Sequence, residues 1–303
     1  MSKLKKQKKQ KTMASKNALT GYLFILPFII GFIAFLLIPM GQSLKMAFSD
    51  VRFEGGIVYD FVKFANFKYA FTVNPDFIPN MVAELIQMAY SVPSIIIFSF
   101  FISIVLNQHF KGRGLVRAVF FLPVILSSGV LVGLETNNTL MSGLQDVIAE
   151  SSNMTSITDT VKSMFLSEGA RLGPIEYVFN AVDQVYDIAI ASGIQIIIFL
   201  SGLQTISPSM FEAAKIEGAT AWETFWKITF PMISSLILVN VVYSIIDFFV
   251  RTDNEVMTLI KQTMVADIKY GLSSAMAWTY FAVIAVIIGI VSAIISKKVY
   301  YYE

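Results

Sequence analysis

The segment Ser207 to Pro231, SPSMFEAAKIEGATAWETFWKITFP, is a polar, helix-forming stretch set between two apolar ones. Ser207 is a good N-cap residue, Pro208 suits the first helical position, and Gly218 supplies a stop after about three turns. Thr220 followed by Glu223 has the spacing of a capping box, in which hydroxyl and carboxylate satisfy each other's orphan amides. Pro231 is expected to end the segment before the next apolar run. The stretch therefore reads as a helix, a glycine bend and a second short helix. On its own it could be an ordinary amphipathic connector, so the apolar neighbours decide what it connects.

Those neighbours are long. The chain has 303 residues, of which 55% are hydrophobic and 15% charged, with a mean hydropathy of +0.67. This composition excludes a soluble globular protein and indicates a polytopic membrane protein. Six apolar runs stand out, at about 21–40, 88–106, 118–134, 188–203, 232–250 and 274–295. A crossing needs about 20 apolar residues when helical, and none of the runs alternates as a barrel strand would. Lipid offers no partners to unpaired backbone groups, so the expectation is an all-α polytopic bundle with six transmembrane helices. The first run competes with a cleaved signal peptide. Its length and the lack of a small-residue cleavage site favour a retained span.

Charge gives an orientation. Residues 1–17 form a basic tail with Lys3, Lys5, Lys6, Lys8, Lys9, Lys11 and Lys16. If the tail is cytoplasmic, six spans also place Lys111, Arg113, Arg117, Lys215, Lys227, Lys297 and Lys298 inside, which makes fourteen of the 23 basic residues. The positive-inside rule then puts both termini and the 207–231 loop in the cytoplasm. The outer segment 135–187 is acidic, with Glu135, Asp146, Glu150, Asp159, Glu168, Glu176, Asp183 and Asp187 against Lys162 and Arg171. It is either a docking surface for an external partner or a solvated cap.

Chemistry of the enzymatic kind is hard to place. With no Cys and only His109, thiolate or His-based metal sites and a Cys nucleophile are excluded. No GxxxxGK[ST] phosphate loop is present, so this chain has no usual means of holding ATP. The informative polar residues are within the spans. Asn240, Tyr243, Ser244 and Asp247 fall on one helical face of the fifth run, and Arg251 follows Asp247 at i+4. An intramembrane carboxylate costs about 2.5–3.5 kcal/mol on insertion scales, so Asp247 needs a partner or water. Counting about 1.5 Å per residue from Pro231 puts it roughly 24 Å up, in the outer half. This face either lines a hydrophilic pathway, joined from the fourth span by Ser192 and Gln195, or is interhelical glue with Asp247 paired to Arg251.

The loop residues Glu212, Ala213 and Ala214, then Gly218 and Ala219, then Ile228 and Pro231 resemble the EAA loop of permease subunits of ATP-binding-cassette (ABC) importers. So does the approach to it, FLSGLQTISPSMFEAAKIEGAT. The opening GYLFILPFIIGFIAFLLIPMGQSLKMAFSD, the turn NQHFKGRGLVRAVFFLP (107–123) and GLSSAMAW from Gly271 are similar to carbohydrate-type permeases of that class. Two departures face outward: FFVRTDNEVMTLIKQ replaces a Thr-Gly-Gly-Pro-like turn, and the loop after the third span lacks a Trp. The resemblance implies a type I importer permease domain over residues 18–303, with Glu212, Ala213, Ala214, Lys215, Glu217, Gly218 and Ala219 coupling it to an ATPase. It further implies no cofactor on this chain, ATP and Mg being held by two partner ATPase subunits or domains. The other partners implied are a second related permease, an extracellular substrate-binding protein, a carbohydrate and the lipid bilayer, with no nucleic acid. Two other classes are an ion-coupled carrier using Asp247, which predicts an inverted repeat and broken helices that the sequence does not display, and a non-transporting scaffold.

Overall fold

Helices cover the described parts of the apolar runs. The computed structural model describes residues 13–53, 56–108, 110–127, 173–251 and 254–297. In chain order these hold α1 (Met13–Phe32), a π-helical turn (Ile33–Leu37), α2 (Ile38–Ala47), β1 (Ser49–Phe53), β2 (Ile57–Phe61), α3 (Ala65–Thr72), α4 (Phe77–Asn107) and α5 (Arg113–Ser127). Then come α6 (Gly173–Ala191), α7 (Gly193–Thr205), α8 (Pro208–Ile216), α9 (Ala221–Thr224), a second π turn (Phe225–Thr229), α10 (Phe230–Val250), α11 (Glu255–Val265) and α12 (Tyr270–Ser296). Among the described residues four helices are long and apolar enough to cross a membrane, or five if the bent pair α6–α7 is one span. The end of the expected third span, 128–134, and most of the acidic segment, 135–172, lie outside the described residues.

Three expectations need correction. The chain is mostly helical but not all-α. SDVRF and IVYDF form an antiparallel hairpin in the register Ser49↔Phe61 to Phe53↔Ile57. Both segments are rich in β-branched and aromatic residues and flank a Gly-Gly, which is the hairpin signal a hydropathy reading passes over. Second, the expected fourth span, 188–203, is not one straight helix: α6 and α7 meet at Ser192 with a 55° bend. Third, Pro231 does not end the loop. The helix runs from Ala221 to Val250, and the π turn before the proline widens it, with the Phe230 N–H donating to the Phe225 carbonyl. Pro231 thus falls in a fresh first turn, where its missing N–H and its ring are tolerated.

The chain divides into two compact units, Met1–Met81 with Glu255–Ala282, and Val82–Asn254 with Val283–Glu303. In the first, the hairpin is tied to what precedes it. The Asn66 side-chain amide donates to the Ala47 and Ser49 carbonyls, both at 3.0 Å, and Ser49 Oγ donates to the Lys45 carbonyl at 2.9 Å. Gly271, at the start of α12, packs so close to the Ser49 and Met46 carbonyls that a Cβ there would overlap the Ser49 oxygen. Ala47, Val51, Phe77, Val256, Leu272 and Met276 are among the buried apolar residues of this unit. The most apolar stretch of the first span has none of its residues buried.

The second unit is built on α10. Leu203, Ile206 and Ile233 form a buried cluster on which Phe100, Met210, Phe211 and Ile228 pack, and Leu106, Ile196 and Leu200 form another with Val116 and Phe120. Gly202 of α7 lets α10 approach, since a Cβ there would overlap Leu236. Arg117 Nη2 donates to the Leu106 carbonyl at 2.8 Å, closing the C-terminal end of α4 with a cation where the helix dipole favours one.

Candidate functional site

The 207–231 loop is assembled from two end motifs. At the C-terminus of α8, the Gly218 N–H donates to the Lys215 carbonyl (3.2 Å) and the Ala219 N–H to the Ala214 carbonyl (2.9 Å), with Gly218 at φ +77°. This is a Schellman motif, which satisfies carbonyls the helix end leaves open and requires the left-handed conformation glycine adopts without strain. No atom lies within 4 Å of a Cβ built on Gly218, so its demand is conformational and not steric. Immediately after it, the Glu223 N–H donates to Thr220 Oγ1 (3.2 Å) and the Thr220 N–H to Glu223 Oε2 (2.9 Å), completing the expected capping box. Lys227 Nζ lies 3.6 Å from Glu223 Oε1. Ser207 occupies the N-cap position but makes no side-chain cap bond; its hydroxyl is 2.8 Å from that of Ser209. Glu212 is the fifth residue of α8, past the first turn where the helix dipole acts.

The two faces of α8 differ. Met210 and Phe211 join the buried cluster on α7 and α10, and Ala214 is 7% exposed. Glu212, Ala213, Lys215, Glu217 and Gly218 are open to solvent, Ala219 partly so. Two large apolar residues stand out beside them, Ile216 at 87% and Trp222 at 69% exposure. Trp222 stacks on Phe225, which leads through Trp226 and Phe230 back to the bundle. The loop is therefore anchored on one side and offers a short apolar and charged surface on the other.

Along α10 the polar residues separate into two kinds. Asn240 and Ser244 are buried, at 0% and 2% exposure, while Tyr243 and Asp247 are partly open. Neither polar atom of the Asn240 side chain has a hydrogen-bond partner. Arg251 lies with its guanidinium 4.6 Å from the centre of the Phe248 ring. Gln195 and Ser192 are both fully buried, and Gln195 meets α10 at Ser244. The Gln195 amide satisfies both of its ends when its nitrogen donates to the carbonyls of Ala191 (2.9 Å) and Ser192 (3.3 Å) and its oxygen accepts from Ser244 Oγ (2.8 Å). Ser192 Oγ donates to the Ile188 carbonyl. Thus Ser192, Gln195 and Ser244 spend their polar groups inside the unit, whereas the Asn240 side chain makes no hydrogen bond and Tyr243 and Asp247 are partly open. Reading the sequence by helical face placed all six together and missed this division, because a helical wheel shows direction and not what stands opposite.

Comparison with known proteins gives these features a context. Residues 188–301, which contain the loop and the α10 face, match the family model described as "Binding-protein-dependent transport system inner membrane component". The chain is 28% identical over 307 residues to the probable ABC transporter permease protein YesP of Bacillus subtilis, covering 95% of this chain and 92% of that protein. It is 29% identical over 219 residues to the multiple sugar-binding transport system permease protein MsmF of Streptococcus mutans, covering 71% and 69%. Its fold is that of a chain in the crystal structure of a bacterial ABC transporter involved in the import of the acidic polysaccharide alginate, with a TM-score of 0.63 at 22% identity over 94% of this chain and 98% of that one. The chain is thus similar over residues 188–301 to binding-protein-dependent transport system inner membrane components, and along most of its length to ABC transporter permeases.

Proposed function

We propose that the chain is a permease subunit of an ATP-driven importer and forms half of a pathway for a carbohydrate, most simply an oligosaccharide. The observation that carries this reading is the 207–231 loop. Its inner face is packed on α7 and α10, and its outer face presents Glu212, Ala213, Ile216 and Trp222 to a partner. Small residues at 213, 218 and 219 allow a partner surface to approach the backbone. No phosphate loop occurs in the sequence, so that partner supplies the ATP and Mg. We assign two ATPase subunits to this surface, a second related permease beside the chain, and an extracellular binding protein that delivers the cargo. Six spans and cytoplasmic termini complete the arrangement, resting on the apolar runs and the charge bias. The cargo class rests on relatives such as MsmF, whose name specifies multiple sugars, and on the alginate importer of like fold.

In this mechanism, closure of the ATPase pair moves α8, and the buried contacts of Met210, Phe211 and Ala214 pass the movement to α7 and α10. The bundle then alternates between outward and inward openings. Tyr243 offers a ring for stacking on a sugar, and Asn240 and Asp247 offer groups for its hydroxyls. Asn240 is buried in the present state, so it reaches cargo only when the bundle opens.

The bent α6–α7 pair is the one feature that favours an ion-coupled carrier with Asp247 as its site, since such carriers use broken helices. Here the carbonyls at the break are taken by Gln195, which leaves no open ion cage, and we favour the importer. Co-purification separates the two. An ATPase that purifies with the wild-type chain and is lost with Gly218→Asp or Glu212→Lys supports the importer; a chain that purifies alone and sustains ion-dependent uptake overturns it. In the same complex, Asn240→Val and Tyr243→Leu are expected to reduce uptake with assembly intact, and unchanged uptake would remove them from the pathway.

A further inference from the structure

A helix that stops in the apolar part of a bundle leaves its last carbonyls without intrahelical donors, and lipid offers no replacement. The bend at Ser192 creates this problem at Ala191, the last residue of α6. Gln195 resolves it from the first turn of α7. Its nitrogen donates to the Ala191 and Ser192 carbonyls and its oxygen accepts from Ser244 Oγ on α10, with Gln195, Ser192 and Ser244 themselves buried. One side chain therefore closes the break and fastens it to a second helix. Seven residues further along α7, the Leu236 side chain of α10 occupies the space a Cβ on Gly202 would fill, so the two helices touch at two levels. Past Gly202 the chain enters the 207–231 loop.

We propose that Gln195 is a positioning residue: its hydrogen-bonded knot with Ala191, Ser192 and Ser244 sets the angle between α6 and α7, and through α7 the placement of the 207–231 loop. Its bearing on transport rests on the importer reading, but the angle itself does not. Without the amide, the Ala191 carbonyl is unpaired, and the cheapest repair is to re-form the continuous helical ladder across residues 191–195. That straightens the pair. A 55° bend between arms of ten and thirteen residues shortens the separation of residues 182 and 205 by about 4 Å relative to a straight helix at 1.5 Å per residue.

The chain has no Cys, so Val182→Cys and Thr205→Cys, both at exposed positions, give two labelling sites in the full chain within its assembled complex. Pulsed electron spin resonance then reads the distance in four backgrounds: unaltered, Gln195→Leu, Ser244→Val and Ser244→Thr. Thr and Val have nearly the same shape and differ in the hydroxyl, so they separate the hydrogen bond from the added bulk. The distribution is expected to lengthen by about 4 Å, or to broaden toward that value, in Gln195→Leu and Ser244→Val and to stay in place in Ser244→Thr. Loss of a monodisperse complex in the Leu and Val variants but not in Thr reads the same way. Coincident distributions in all four, or equal damage from Thr and Val, overturn the proposal. Where the complex transports, uptake per ATP hydrolysed falls several-fold with the shifted distributions and recovers in Ser244→Thr. An unaltered chain with the bent distance but no ATP-driven uptake would sink the importer reading and leave the positioning role standing.

Discussion

Two glycines of this chain do opposite work. Gly218 stands in open space and is needed for its sign of φ; Gly271 has a common helical backbone and is needed for its missing Cβ. At Gly271 an added carbon would overlap the Ser49 carbonyl oxygen and come within 3.2 Å of the Met46 oxygen. Backbone oxygens cannot swing aside as a side chain can, so Gly271→Ala is expected to cost about 1–3 kcal/mol, the usual range for overpacking. Gly289→Ala is its control: it lies in the same helix with nothing within 4 Å, and alanine there is favoured by about 1 kcal/mol in helix propensity. Thermal unfolding in detergent should therefore show a lowered midpoint for Gly271→Ala and an equal or raised one for Gly289→Ala, and the reverse order would contradict the close approach. Gly218 was legible in the sequence because its signal is local, a glycine after a short amphipathic helix and before a capping box. The role of Gly271 depends on residues more than two hundred positions earlier in the chain, so its neighbours could not be read there.

At the scale of elements, helix ends with chemistry of their own were legible and the breaks were not. The capping box at Thr220 and Glu223 and the glycine end at Gly218 are written in a few adjacent residues. The bend at Ser192 is not, because it is tied to Ser244 on another helix, and the two π turns emerge only once the helix is seen to continue through a proline. Both π turns sit immediately before a proline in the first turn of the next helix, Pro39 and Pro231, and in both the first α-helical residue donates back five positions, Ile38 to Ile33 and Phe230 to Phe225. A hydropathy reading takes proline as a stop, whereas here a widened turn absorbs it and lets the helix continue. This has a consequence for the loop. With Pro231 no longer a terminus, α9 is rigidly continuous with α10, and its N-terminal cap is the free end of a long lever. Thr220→Ala removes the hydroxyl that receives the Glu223 N–H, at a cost of about 1 kcal/mol typical of N-caps. The loss should fray the first turn only, so ATPase co-purification weakens while the thermal midpoint moves little. A collapse of both together would mean that the cap supports the bundle as well as the loop.

For the whole molecule, composition pointed to a membrane protein and charge gave an expected direction, while the bend within a span and the hairpin needed the structure. Hydropathy cannot separate a straight span from a bent pair, and it discards a hairpin whose five-residue strands are too short to register as spans. The direction carries the reading of every site: the 207–231 surface meets a cytoplasmic ATPase only if the loop is inside. Fourteen of the 23 basic residues fall on that side under the six-span arrangement, and the bias acts through the membrane potential and the insertion machinery and not through packing. A chain with no Cys makes this directly measurable, because any single cysteine introduced is the only one the chain contains. Ile216, 87% exposed on the loop, and Phe61, 71% exposed at the end of the hairpin, are suited to the purpose. In intact cells a membrane-impermeant maleimide should label Phe61→Cys and leave Ile216→Cys unmodified until the membrane is permeabilised. Labelling of both in intact cells would place the loop outside, or show that the span count between them is odd only by assumption. In either case the ATPase could not reach Ile216 and Trp222, and the apolar surface they form would need a partner on the outer side.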